Sequence, residues 1–557
     1  MDFFEFTADL DQDRMRAHLE KLSSFEKLSG SDDAMAAADY IIRVLENDGV
    51  DCHLERFDAF LSDPVCASVE LPDCGLVFRA RPRSFSADAP DGVEGILFHD
   101  PGESDIGMMR GKIVLAYGFD ERYCKTIERY GAVGLIQIWT SDDPLIHEDT
   151  VSGVWGTPTS DSSLMLPSIP VAGVSLEDGL RLIELTKGGD ATCRLVSEVK
   201  TGVSELVMPV AEIRGKSDDF VLLSCHYDSW FKGAVDNCSA DSVALEIARV
   251  LNGHATDLER GVKIVWWSGH SDGRYAGSTW YCDNHWHELC EYCIAHVTSD
   301  LMAPKGGSVR KVYTTGIEGK FFHSSILART DDSVGIAFGS IGRGADQSFW
   351  GADIPIHFYS RYELDGTEKR SAAPGGAWWW HTSEDTFDKV DLKLMEREAS
   401  TLLLDALSLA AEPRLPFDLD VFFGGINEEL SVILDGYPSE LRSFEITDVF
   451  GKLRSRVQVA IENCDDATWN YVVRKVGGVV NRIRQSYGSR YDHDYAFSGK
   501  SVFSRLYGLS SKGKANVADP DRLFVSTGFL RGKNRIISEI SALIRDLDVF
   551  CVMRQED

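Results

Sequence analysis

A chain of 557 residues is too long for one ordinary hydrophobic core, so about three or four domains are predicted. With 43% hydrophobic and 26% charged residues the composition is that of a globular protein, which excludes a disordered or fibrous chain. A formal net charge of −31 excludes nucleic-acid binding, which needs clustered Lys and Arg against phosphate, and argues against an anionic membrane surface.

The N-terminal MDFFEFTADLDQD carries neither a basic stretch nor a long apolar run, so no secretory signal is predicted. No segment approaches the roughly 18–20 apolar residues of a membrane span. The twelve cysteines are scattered. Cys290 and Cys293 stand three apart in the helical-looking WHELCEYCIAH and read as packing thiols. A reducing, cytoplasmic compartment is the expectation.

Residues 12–58 read as helix, loop, helix and strand. The second helix runs through AMAAADYIIRVLENDG, with Asp32 or Ser31 as N-cap and Gly49 as its stop. Between about 60 and 200 short apolar runs alternate with Gly, Pro, Asp and Ser. GKIVLAY, ERYCKTIERYGA and VGLIQIW form a strand–helix–strand unit, and Val151 to Pro170 is a loop placed to overhang a site. From about 205 to 412 buried strands alternate with helices, among them GSTWYCDNHWHELCEYC, which predicts a mostly parallel sheet with helices on both faces. In such sheets ligands sit beyond the carboxyl ends of the strands. The remainder, 413–557, is helical and closes on NRIISEISALIRDLD.

Those strand ends carry the chemistry. LLSCHYD puts His226 and Asp228 directly after a strand, where a histidine can ligate a metal while a carboxylate orients it. GAVDNCSA places Asp236 just before a helix, where its carboxylate could bridge two cations. KIVWWSG delivers His270, Ser271 and Asp272 to the same edge, HVTSDLM offers Asp300, and WWWHTSEDTFDKVD exposes His381. Imidazole and carboxylate are what zinc accepts without thiolates; a bound zinc polarises a carbonyl and activates water as a nucleophile. Singly, each residue has a structural reading, such as a buried histidine or a helix-capping aspartate.

Taken in order, HYD (226–228), VDNCSADSVALEIARVL (235–251), SGHSDGRYAGS (268–278), SDLM (299–302) and HTSEDTFDKVD (381–391) resemble the M28 family of metallopeptidases. The segment around GKIVLAY and VGLIQIW is similar to a protease-associated domain, and the arrangement resembles the glutamate carboxypeptidase and transferrin-receptor branch. The resemblance implies an α/β fold of the zinc-exopeptidase type. It divides the chain into 1–60 and 201–412 as catalytic domain, 61–200 as a PA-like β-rich insertion and 413–557 as a helical, dimerisation-like domain. It implies one or two Zn2+ ions per chain, with His226, Asp236 and Asp300 as ligands of one. Asp236 would bridge to a second held by His381, and Asp228 would stand behind His226. A peptide or small amide is the implied substrate, and a homodimer the implied assembly.

The sequence departs from the family at one place. Where a Glu-Glu pair supplies the general base and a ligand, this chain has His270-Ser271-Asp272 and one extra residue before Gly277. Three substitutes are open: His270 as base, His270 or Asp272 as ligand, or a single-metal site with another proton acceptor. Arg274 is expected to hold a substrate carboxylate, with Tyr275 beside it and Asp346 also facing substrate. Nine of the twelve tryptophans fall between Trp230 and Trp380, and Trp230, Trp350 and Trp378 to Trp380 are candidates to line an aromatic pocket. The expected activity is zinc-dependent hydrolysis of a linear C–N bond by an exopeptidase or amidohydrolase. The alternatives are a non-catalytic binding protein with a vestigial site, or an acyl-transfer enzyme of the same fold.

Overall fold

The computed structural model describes residues 3–102, 106–118, 121–330, 335–344, 346–365, 371–437, 444–496, 503, 505–506 and 519–556. Thirteen strands are found among them: β1 (Asp51–Leu71), β2 (Leu76–Pro82), β3 (Ala89–His99), β4 (Lys112–Tyr117), β5 (Gly134–Ile138), β6 (Val171–Val174), β7 (Thr192–Ile213), β8 (Phe220–His226), β9 (Gly261–Trp267), β10 (Cys293–Thr298), β11 (Gly307–Thr314), β12 (Ile336–Ser340) and β13 (Ile356–Leu364). They are hydrogen-bonded in the order β1-β2-β6-β5-β4-β3-β7-β9-β8-β10-β13-β11-β12, and β1 also pairs with β7.

That last pairing organises the molecule. β1 and β7 run antiparallel from Asp51↔Glu212 to Glu70↔Arg194. At one end they close the ring β1-β2-β6-β5-β4-β3-β7, and at the other β7 hands on to β9 and the large sheet. Two strands of more than twenty residues are therefore shared by both parts. The fold is mixed α/β with a large, mostly parallel central sheet, as the alternation of apolar runs predicts.

The central strands are apolar throughout because both faces are covered. All seven residues of β8 are buried. On β9 the neighbours Trp266 and Trp267 point to opposite faces, as alternation requires. Trp266 joins the core containing Leu45 and Val243, and Trp267 the one containing Tyr281 and Phe349. β8, β9 and β10 are parallel, with His226 opposite Trp267 and Ser224 opposite Thr298, so their carboxyl ends share one rim.

Ser31 caps the helix Asp32–Asn47 by accepting from Ala34 N, and Gly49 follows it at φ +71°. The segment read as one helix, GSTWYCDNHWHELCEYC, is two, Ala276–Asn284 and Trp286–Tyr292, interrupted at His285, with Cys293 already opening β10. The final helix, Asp519–Glu556, buries Ile536, Ile540, Leu543 and Leu547 and packs along the helices Glu445–Ile461 and Asp466–Gln485.

In the helix Leu392–Ala410 Asp405 is buried with one carboxylate oxygen unpartnered, and burial pushes its pKa up to about 7, against the pull of His323 and Arg310. The native state thus keeps a proton that the unfolded chain releases near pH 4, so this group's stabilisation falls as pH rises from about 4 through 7. Asp405→Asn is expected to flatten the fall in urea midpoint across that window. Parallel pH profiles for variant and parent would refute it.

Candidate metal centre

The rim beyond β8, β9 and β10 gathers His226, Asp236, His270, Asp300 and His381. His226 ends β8, and its Nε2 stands 3.0 Å from Asp236 Oδ1 and 3.6 Å from Asp300 Oδ1. The other oxygen of Asp236, Oδ2, lies 3.3 Å from His381 Nε2, so one carboxylate spans the two imidazoles. The ring of His270 stacks on that of His226 at 3.6 Å and 8°. A nitrogen of each ring and an oxygen of Asp300 lie within 4.8 Å of one another.

Each imidazole has its Nδ1 committed elsewhere. His226 Nδ1 is 2.8 Å from the Asp228 carbonyl oxygen, His270 Nδ1 2.6 Å from Asp346 Oδ2, and His381 Nδ1 2.9 Å from the Glu148 carbonyl oxygen. With the Nδ1 proton donated to such acceptors, Nε2 carries the lone pair, the arrangement that orients histidine ligands.

Several contacts hold the carboxylates in place. Asp385 accepts from the backbone N–H groups of Val235 (2.9 Å) and Asp236 (3.0 Å). Asn237 donates to Ser299 O and accepts from Leu301 N, tying the Asp236 turn to the loop that carries Asp300. Below that loop Glu398, paired with Arg310, accepts from Ala303 N. None of these supports was singled out from sequence, although Asp385 and Asn237 lie inside the quoted motifs.

Four expectations are corrected. Asp228 does not hold His226 through its carboxylate; that group accepts from His270 N, Ser271 N and Ser29 Oγ and so secures the loop bearing His270. Asp272 is fully buried and outside the cation-facing group found among the described residues. Burial and the neighbouring Asp228 raise its pKa well above the usual carboxylate range. Arg274 is already neutralised by Glu121 of the inserted segment, and its guanidinium lies over Trp155 and Tyr275, so it is not free to clamp a substrate. Asp346, 1% exposed, stands behind His270 and not against substrate, with its other oxygen accepting from Ser278 Oγ at 2.7 Å.

Tyr275 stays at the site, its ring edge-on to His270 at 4.9 Å and packed on Trp155 at 4.2 Å. Trp380 stacks on His381 at 3.4 Å, and Trp230 meets His381 edge-on. Trp350, by contrast, packs on the buried His357. The segment around residue 148 lies against the His381 loop, since Glu148 N also donates to His381 O at 3.0 Å. The overhang foreseen for 151–170 therefore begins a few residues earlier.

Burial alone would lower the His226 pKa, but Asp236 and Asp300 raise it well above its usual value, so a proton and a cation compete for Nε2. Burial would raise that of Asp236, but His226 and His381 hold it well below the carboxylate range. Yet His226 Nε2 and Asp300 Oδ1 are buried with no hydrogen bond of acceptable geometry. Converging buried donor atoms left without hydrogen bonds fit a cation, and an N/O donor set is one that zinc accepts.

Residues 209–404 match the model of peptidase family M28. The central domain is an M28 peptidase domain. Aminopeptidase YwaD of Bacillus subtilis (strain 168) is 23% identical over 295 residues, 52% of this chain and 60% of that protein, so the chain spans under two thirds of this relative's length. The probable lipoprotein aminopeptidase LpqL of Mycobacterium tuberculosis is 24% identical over 416 residues, covering 68% of this chain and 78% of LpqL. The structure of an aminopeptidase from Aneurinibacillus sp. strain AM-1 superposes with a TM-score of 0.58 at 18% identity, over 75% of this chain and 98% of that one. At that identity the likeness concerns the fold.

Because Asp385 fixes the M28 domain's Asp236 turn through two N–H groups, Asp385→Asn is expected to weaken zinc binding by about 10–100-fold. Competition titration against a chelator measures this, and parental affinity would show that the turn holds without it.

Proposed function

We propose that this protein is a zinc-dependent hydrolase of a linear amide bond, an exopeptidase of aminopeptidase type. The observation that carries the reading is the committed Nδ1 of His226, His270 and His381, which leaves three Nε2 atoms at one rim with Asp236 and Asp300 between them. The names of the M28 relatives support the reaction class.

In this reading His226 and Asp300 hold the cation, with Asp236 beside them. The chemistry supplied by bound zinc is polarisation of the scissile carbonyl and acidification of water. The chain's own residues do the rest. Asp236, held by Asp385, keeps negative charge between His226 and His381. An imidazole Nε2 at the rim takes the proton of the attacking water and returns it to the departing amine. Trp380 and Trp230 keep the His381 side of the cleft apolar. The 148–155 segment lies against His381 and Tyr275 at the rim.

We read the chain further as a cytoplasmic homodimer with peptides or small amides as substrates. All twelve cysteines are free, which supports a reducing compartment. Leu523, Phe524, Leu530, Val549, Val552 and Met553 are exposed on the last helix, which supports self-association. Among the described residues no helix is long and apolar enough to cross a membrane.

His226→Ala is expected to lose bound zinc and, with it, at least a thousandfold in hydrolysis of aminoacyl anilides or dipeptides, or about 4 kcal/mol of barrier. Elemental analysis alongside the assay tests this. A variant that keeps both zinc and activity refutes the site.

A further inference from the structure

The family resemblance leaves open what stands in for the missing Glu-Glu pair. Resting on the hydrolase reading above, we propose that Asp346 is a positioning residue that makes His270 a cation ligand. The centre then holds a single zinc between His226, His270 and Asp300.

Four observations on separate elements meet here. First, His270 Nδ1 and Asp346 Oδ2 are 2.6 Å apart, and Asp346 is buried at 1% exposure. Second, Asp346 is itself fixed: Oδ1 accepts from Ser278 Oγ, and its carbonyl oxygen accepts from Ser348 N at 2.9 Å. Its backbone sits at φ +59°, a left-handed conformation that aspartate tolerates better than most residues. Third, the His270 backbone is held from the other side, its N–H donating to Asp228 Oδ1 at 3.2 Å. Fourth, a ring nitrogen of His270 lies within 4.8 Å of the donor atoms of His226 and Asp300.

A histidine whose Nδ1 proton is donated to a buried carboxylate presents Nε2 as a basic, oriented lone pair. Held at both backbone and ring beside the stacked ring of His226, His270 keeps a nitrogen next to the donor atoms of His226 and Asp300. That allocation also decides the number of metals. Once His270 belongs with His226 and Asp300, a second cation near His381 would find Asp236 Oδ2 and His381 Nε2 alone among the described residues. A catalytic zinc ordinarily takes three protein ligands. His381 Nε2 then remains free to carry the proton.

The test uses the full chain and zinc alone. Purified wild type is expected to bind one equivalent of zinc by elemental analysis. Metal-free Asp346→Asn and His270→Gln, compared with wild type by chelator competition, are each expected to bind about 10–100-fold more weakly. Asp346→Glu should recover part of the loss, and the thermal midpoints of the metal-free proteins should stay close to wild type. In cobalt-loaded wild type, the exchangeable Nδ1–H signals of two imidazoles should be hyperfine-shifted, and His270→Gln should remove one. This reading does not depend on the Asp346 variants folding. Two equivalents of zinc in wild type, or Asp346→Asn binding as tightly as wild type, would overturn the proposal. Wild type that binds no zinc would instead overturn the hydrolase reading on which it rests.

Discussion

The site depends on where each imidazole at the rim places its one proton. A neutral histidine has a donor and an acceptor nitrogen, and only the acceptor can face a cation. Here the choice is made three times by the chain itself, through the carbonyls of Asp228 and Glu148 and the carboxylate of Asp346. Without those acceptors the tautomers would be free to interconvert, and Nε2 would not be fixed as the acceptor nitrogen. The stacked and edge-on rings of Trp380, Tyr275 and Trp230 then limit rotation of what the hydrogen bonds have aligned.

Around these rings several carboxyl groups are buried. Their protonation divides by position. Asp241, beneath β8, is pushed up to about 8 by burial, and Asp385 up to about 7. Asp272 is raised well above its usual range. Burial thus disfavours charge on these three groups. Asp236, squeezed between two imidazoles, stays ionised despite its burial. Negative charge is thus favoured on Asp236, which faces the shared space, and disfavoured on Asp241, Asp272 and Asp385. A divalent cation is the natural complement of such a field, since an unpaired buried carboxylate is costly.

How much of this is legible in the sequence follows from the range of each contact. His226 and Asp300 stand at strand ends and Asp236 just before a helix, positions that apolar periodicity locates, whereas His381 lies in a turn and is suggested only by the motif that carries the family resemblance. The fold class followed from the same alternation. The partners of the imidazoles were not readable to the same degree. Asp346 lies 76 residues from His270 and Glu148 lies 233 from His381, and no local pattern links either pair. Asp346 could be flagged as near the site, but the side of the histidine on which it stands is set by the left-handed turn at that residue. Asp228 and Asp272 show the complementary failure. Adjacency in the chain suggests that the Asp228 carboxylate orients His226 and that Asp272 faces the cation, whereas the tight loop after β9 turns Asp272 inward and uses the Asp228 carboxylate as its own anchor. Arg274 was misjudged because its counter-ion, Glu121, comes from a different part of the fold.

That last contact shows why the inserted segment is part of the site. β1 and β7 are continuous through the closed ring and the large sheet, so the loops between β5 and β6 are carried to the rim on stiff, doubly paired strands. Three of their residues engage it: Glu148 at the His381 backbone and ring, Trp155 between Tyr275 and the guanidiniums of Arg274 and Arg343, and Gly153 through its carbonyl to Ala496 N of the C-terminal region. Trp155 also donates to Ser348 Oγ, two residues from Asp346, and Ser348 in turn meets Ser278, which holds Asp346. A continuous chain of contacts therefore runs from the inserted loop to the carboxylate that orients His270. Loss of the β5–β6 loops would remove the acceptor for one imidazole and a brace behind the orienting group of another, so the arrangement at the rim is a joint product of the ring of strands and the large sheet.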